Sequence, residues 1–204
     1  MKIAKINKLS DIKQSDLEEC IDWEQISTIE GLSESFIKKY QKKLDWDFIS
    51  EAQVLSEDFM REFQDKLTWE LIIMNQHLSE EFIREFKDKF TWHDIFQFQK
   101  LSESFIRENM ESFSKDDWYY LSAFQKLSEE FIREFQDKVA WWNISKHQVL
   151  SEDFIIEFKD KIHWDLINTS IRKKIFESIG KKNKKIQMGC LNQFFIEERK
   201  SDFY

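Results

Sequence analysis

Apolar residues recur along the chain in a long, regular pattern. The triplet Leu-Ser-Glu begins at Leu32, Leu55, Leu78, Leu101, Leu127 and Leu150, with spacings of 23, 23, 23, 26 and 23. Counting that Leu as position 0, apolar side chains fall at positions 4, 5, 8 and 12, as in Phe82, Ile83, Phe86 and Phe90. Such spacing lies on one face of a helix. A Trp follows at position 14 in Trp46, Trp69, Trp92, Trp141 and Trp164, and Trp118 joins them once three inserted residues, Ser114 to Asp116, are set aside. Run backwards, the register places Leu9 at position 0 and Trp23 at position 14. There are therefore seven repeats, starting at 9, 32, 55, 78, 101, 127 and 150.

Each repeat predicts two short helices. In the first, Ser79 is an N-cap with Glu80 and Glu81 in the first turn, where the helix dipole favours acids. Leu78 and Ile83 have the spacing of a hydrophobic staple. The second helix starts at the Trp, behind Asp22, Asp45, Thr68, Thr91 or Asp117 as cap. Helices this short do not stand alone in water, so neighbouring repeats must stabilise one another. The fold class expected is all-α: a solenoid of seven two-helix repeats over residues 1–172, closed by a helical, basic segment at 173–204 in which Gly180 is a stop signal. Repeat one has Lys13 and Gln14 where later repeats have Phe and Ile, and reads as an N-terminal cap. The insertion Ser114 to Asp116 is expected to bulge between the helices of repeat five.

Composition narrows the class. Of 204 residues 41% are hydrophobic, with 20 Phe and 8 Trp against 3 Gly and no Pro, enough to build a core and too apolar for disorder. No apolar run approaches the ~18 residues of a membrane span. The two cysteines, Cys20 and Cys190, have no metal or redox spacing, and with no secretory signal the chain is expected to be intracellular. Abundant Lys, Ile and Phe beside scarce Gly, Pro and Ala suggest AT-rich coding.

The repeated Leu-Ser-Glu-x-Phe-Ile-Arg-Glu-Phe-x-Asp-Lys-x-x-Trp, clearest in Leu127 to Lys138, resembles the tandem short helical repeat proteins of large DNA viruses and bacteriophages. The match spans Leu32 to about Ile167, more weakly Leu9 to Gly31, and excludes the tail. What the resemblance implies is a viral origin, consistent with the AT-rich coding, and a family mostly without assigned biochemistry; for a viral scaffold the expected target is a host or defence protein. It carries over no catalytic residues.

Candidate chemistry is sparse. The histidines His77, His93, His147 and His163 share no metal-ligand spacing, and no phosphate loop, nucleophile elbow or metalloprotease motif occurs. No enzyme activity, cofactor or metal is expected. Arg61, Arg84, Arg107 and Arg133 repeat at position 6, each followed by Glu, and read as a solvated face with local ion pairs. The tail, 173–204, has a net charge of +4 in a chain of −8, leaving −12 on the repeat body. The body therefore repels nucleic acid, whereas Lys181, Lys182, Lys184 and Lys185 form a possible anion-binding cluster in the tail. Gln53, Gln76, Gln99, Gln125 and Gln148 close the second helices and are expected to bond free carbonyls or the adjacent repeat.

Positions that repeat serve the fold, and positions that vary are free to serve a ligand. Positions 15, 16, 18 and 19 vary most, and there the large side chains Ile73, Met74, Phe96, Tyr119, Tyr120 and Trp142 define an expected partner-binding strip on the second helices of repeats three to six. For some of these rings, packing under a neighbouring repeat is the alternative. The leading functional reading is a non-enzymatic protein-binding scaffold. The alternatives are a structural virion or assembly component, and nucleic-acid binding through the tail.

Overall fold

A computed structural model describes residues 22–182, with side chains described through Glu177. All regular elements among them are helices, and no strand occurs there. Repeat one contributes α1 (Trp23–Ser27). Repeats two to four pair α2 (Glu34–Tyr40) with α3 (Trp46–Ala52), α4 (Glu57–Glu62) with α5 (Trp69–Asn75), and α6 (Glu80–Glu85) with α7 (Trp92–Phe98). Repeat five pairs α8 (Glu103–Asn109) with α9 (Lys115–Phe124), and repeat six pairs α10 (Glu129–Glu134) with α11 (Trp141–His147). Repeat seven has α12 (Glu152–Glu157) and only a 3₁₀ turn at Trp164–Leu166, followed by α13 (Thr169–Lys182). The chain divides into two compact units, Met1–Asp117 and Trp118–Tyr204. The all-α, repeat-built fold is the one the periodicity requires, and inside each unit the helical pairs pack on their sequence neighbours.

The repeat motif is explained by backbone groups that short helices leave unpaired. A six-residue helix leaves more of its backbone amides and carbonyls without an intrahelical partner than it pairs. Ser79 Oγ accepts from the Phe82 N–H and caps its own helix. The Ser79 N–H donates to Glu57 Oε1 of the preceding repeat at 2.7 Å, as Ser56 does to Glu34, Ser102 to Glu80 and Ser151 to Glu129. The Leu78 N–H donates to Gln99 Oε1 at 3.0 Å, and the Gln99 Nε2 donates to the Ile73 and Gln76 carbonyls of the repeat before. Gln53, Gln76 and Gln148 make the same clamp. Leu-Ser-Glu and the closing Gln are thus one device for holding consecutive repeats in register.

Aromatic packing interlocks the same repeats. The rings at positions 4 and 8 pair, and the Trp of the preceding repeat lies over both: Trp69 is 6.2 Å from Phe82 and 4.9 Å from Phe86, and Trp141 is 6.3 Å from Phe154 and 5.0 Å from Phe158. Lys89 and Lys161, at position 11, then cover the outer faces of Trp69 and Trp141 at 5.9 and 5.5 Å. The indole N–H donates to the carbonyl five residues back, as Trp46 does to Gln41 and Trp141 to Gln136. Several of these tryptophans are consequently half-buried: each ring is sandwiched between Phe and Lys and keeps its polar edge bonded. The most deeply buried repeated side chains are instead the Phe at position 4 of repeats three to seven and the aliphatic residues at positions 5 and 17, such as Phe82, Ile83 and Ile95.

The expectations for the insertion and for the tail are corrected. The insertion Ser114 to Asp116 does not bulge. It lengthens α9, whose start is fixed by Ser114 Oγ accepting from the Asp117 N–H while Asp117 Oδ2 accepts from the Ser114 N–H. Three residues are about one helical turn, so Trp118 keeps its place. Gly180 does not stop the last helix, and the boundary expected at 172 falls inside α13. Asn168 opens that helix by accepting from Ser170 N–H at 2.9 Å, and buried Ile175 anchors it, which outweighs the ~1 kcal/mol cost of one internal Gly. The ion pairs expected of the position-6 arginines are present, and some reach into the following repeat. Arg61 donates to Glu85 and Arg133 to Glu157 in the following repeat, each lying over that repeat's position-4 Phe. Of the N-terminal cap, residues before Asp22 lie outside the described residues.

One further buried contact tests this logic. Ser50 is fully buried; its hydroxyl donates to the Trp46 carbonyl at 2.7 Å and accepts from the Thr68 N–H of the next repeat at 3.0 Å. Ser50→Ala should cost about 1–2 kcal/mol in urea unfolding, because the Thr68 amide loses its partner. No loss would show that this amide finds another.

Candidate partner-binding surface

The second helices supply two kinds of variable position, and the structure separates them. Position 18 is one turn beyond the Trp and points into the stack. Ser27, Ser50, Ser122 and Ser145 there bond the Trp carbonyl of their own helix and an N–H of the next repeat. Ile73 and Phe96 occupy the same slot and are 2% and 0% exposed. They fill with apolar bulk the space that the serines fill with hydrogen bonds. Phe96 stacks on Trp92 at 5.6 Å and meets Phe113 edge-on at 5.2 Å. Ile73 and Phe96 are therefore core side chains and leave the expected strip.

Positions 15 and 19 face outward. Met74 is 52% exposed on α5 in the first unit. In the second unit, Tyr119 and Trp142 hold position 15 of adjacent helices α9 and α11 and are 47% and 40% exposed. The helices are tied side by side: Asn143 Nδ2 donates to the Tyr119 carbonyl at 2.8 Å, and Gln148 Nε2 donates to the Ser122 and Gln125 carbonyls. This places Tyr119 and Trp142 on one outer surface. Tyr120, partly buried, packs edge-on against Tyr119 at 5.6 Å and stacks on Phe124 at 6.2 Å. Phe124, half exposed, extends the strip and was not singled out by the sequence. Its signal was its place four residues beyond Tyr120, on the same helix face.

Lys146, exposed, holds its Nζ 4.4 Å from the centre of Trp142, and His147 lies 6.3 Å from that ring. Asn143 is buried at a position where Phe48, Leu71 and Leu166 stand in other repeats, and its Oδ1 has no hydrogen-bond partner. Asn143→Leu should therefore leave stability unchanged or raise it by up to about 1 kcal/mol, read as the midpoint of denaturant unfolding. A clear loss would show that the Asn143–Tyr119 bond outweighs the orphaned oxygen.

Comparison with protein-family models, with curated proteins and with solved structures finds no match to this chain.

The first-helix face offers little to a ligand because its charges are engaged with one another. The hydrogen bond that Arg61 donates to Glu85 raises its pKa above the ordinary value, and the bond that Arg133 donates to Glu157 does the same, so both stay cationic. Of the lysine cluster, Lys181 and Lys182 lie at the end of α13 with side chains outside the described residues, as are Lys184 and Lys185 entirely. Among the described residues no group of three His, Cys, Asp or Glu is placed to hold a metal, and no helix is long and apolar enough to cross a membrane.

Proposed function

We propose that the chain is a non-enzymatic repeat scaffold that binds another protein through the outer face of its second helices. The observation that carries this reading is the cluster of Tyr119, Tyr120, Phe124 and Trp142. Buried polar groups and rings elsewhere are matched repeat to repeat, whereas Tyr119, Phe124 and Trp142 are 47%, 50% and 40% exposed. Tyr and Trp are common anchors of protein interfaces, combining large apolar area with a polar edge. In the viral setting suggested by the repeat motif, the partner is a host or defence protein.

Parallel affinity purification from cells, with the natural chain and with a Tyr119→Ala/Trp142→Ala double variant as baits, tests the reading. A partner recovered by the first and lost from the second is the expected result. Equal recovery by both baits overturns it, provided the variant unfolds at the same denaturant concentration.

A further inference from the structure

Beyond the first turn of α9, where Asp116 and Asp117 stand, the aromatic strip of α9 and α11 carries charge of one sign. From Trp118 to Lys126 and from Ala140 to Leu150 there is no carboxylate, while Lys126 and Lys146 are exposed and His147 lies beside Trp142. This is unusual for a chain of net charge −8. The corresponding second helices of repeats one to three expose Glu24, Asp47, Glu51 and Glu70, and repeat seven restores an acid at Asp165. The carboxylate-free stretch thus covers the Phe124 and Trp142 end of the strip, with Asp116 one turn before Tyr119 and Tyr120 at the other end.

Charge complementarity then selects the occupant. Lys146 already sits over the face of Trp142 at 4.4 Å, so a partner's Arg or Lys would meet a like charge where it would otherwise stack. A carboxylate can pair with Lys146 while an apolar side chain settles against Tyr119, Phe124 and Trp142. We infer, building on the protein-scaffold reading, that this strip takes a peptide segment in which apolar or aromatic side chains are flanked by Asp or Glu. Bases of a single-stranded nucleic acid also stack on aromatic rings. Two lysines are a sparse track for a phosphate backbone, however, and the repeat body, at −12, opposes a polyanion.

Selection of random short peptides displayed on phage, with the full chain as target, tests the inference. The enriched peptides should combine Leu, Phe or Trp with Asp or Glu. A selected peptide should lose at least about tenfold in affinity against Trp142→Ala, and about tenfold against Lys146→Glu, with binding to the natural chain falling as salt rises. Reselection on Lys146→Glu should remove the acidic bias. Basic or uncharged peptides that still require Tyr119 and Trp142 would overturn the charge assignment and leave the scaffold reading standing. Peptides indifferent to both rings, or no enrichment at all, would overturn both. Trp142-dependent binding of a fluorescent oligothymidylate in place of peptides would overturn the inference in favour of nucleic acid.

Discussion

Gln99→Leu is expected to lower the unfolding free energy by about 3 kcal/mol or more, although it places an apolar side chain of similar reach in an apolar interior. Gln99 is 5% exposed, and its amide accepts from the Leu78 N–H and donates to two carbonyls, Ile73 and Gln76. These are groups at the ends of short helices, where no intrahelical partner exists. Leucine leaves all three unpaired, and each buried unpaired group costs about 1–3 kcal/mol. Gln99→Glu isolates the role of the amide donor. A carboxylate still accepts from Leu78 but faces two carbonyl oxygens, so burial and those oxygens raise its folded pKa above the usual value of about 4.3. The folded state then binds more protons than the unfolded one, and stability falls as pH rises through the folded pKa. The deficit of Gln99→Glu relative to the natural chain should be smallest below about pH 4 and full at neutral pH. A pH-independent deficit would mean that the carboxylate has turned away from the carbonyls.

That clamp was legible in outline: a Gln recurring where Gly or Pro usually ends a helix pointed to bonding with helix carbonyls or the next repeat. Its reach to Leu78 and Gln76 was not, because period alone does not say which repeat lies under which. Position 18 shows the opposite failure. Ser50, Ile73, Phe96 and Ser145 differ in polarity and size, and in the sequence alone that variation predicts freedom to bind. Variation between repeats measures exposure only where one solution fits a slot, and this slot admits two. It closes with a hydroxyl that pairs with the next repeat's N–H, or with apolar bulk such as Phe96. Position 15 lies outside the stack, and the same criterion placed Tyr119 and Trp142 on the surface. In repeat five, the register of repeats one to four predicts Asp117 as the cap, just before the Trp. Ser114 and Asp117 have the three-residue spacing of reciprocal capping, which was the available signal for the longer helix.

The core hierarchy gives the second large effect. The structure buries the position-4 Phe more deeply than the bulkier repeated Trp. Phe82 is 0% exposed, with Phe86 at 4.6 Å, Trp69 at 6.2 Å and the Arg61 guanidinium at 5.1 Å. Phe82→Ala therefore opens a cavity bordered by two repeats and should cost about 3–5 kcal/mol. Trp92 is only half-buried; its indole N–H donates to the exposed Ser112 hydroxyl at 3.1 Å, and its ring stacks on Phe96. With part of the ring already in water, Trp92→Ala forfeits less burial and leaves a space open to solvent rather than a closed void. Its cost should be about 2 kcal/mol, set by the apolar area that is removed from water. Chemical denaturation of the two variants under one set of conditions checks the order. If Trp92→Ala were the more damaging, cohesion between repeats would run through the tryptophan ladder and not through the phenylalanines beneath it.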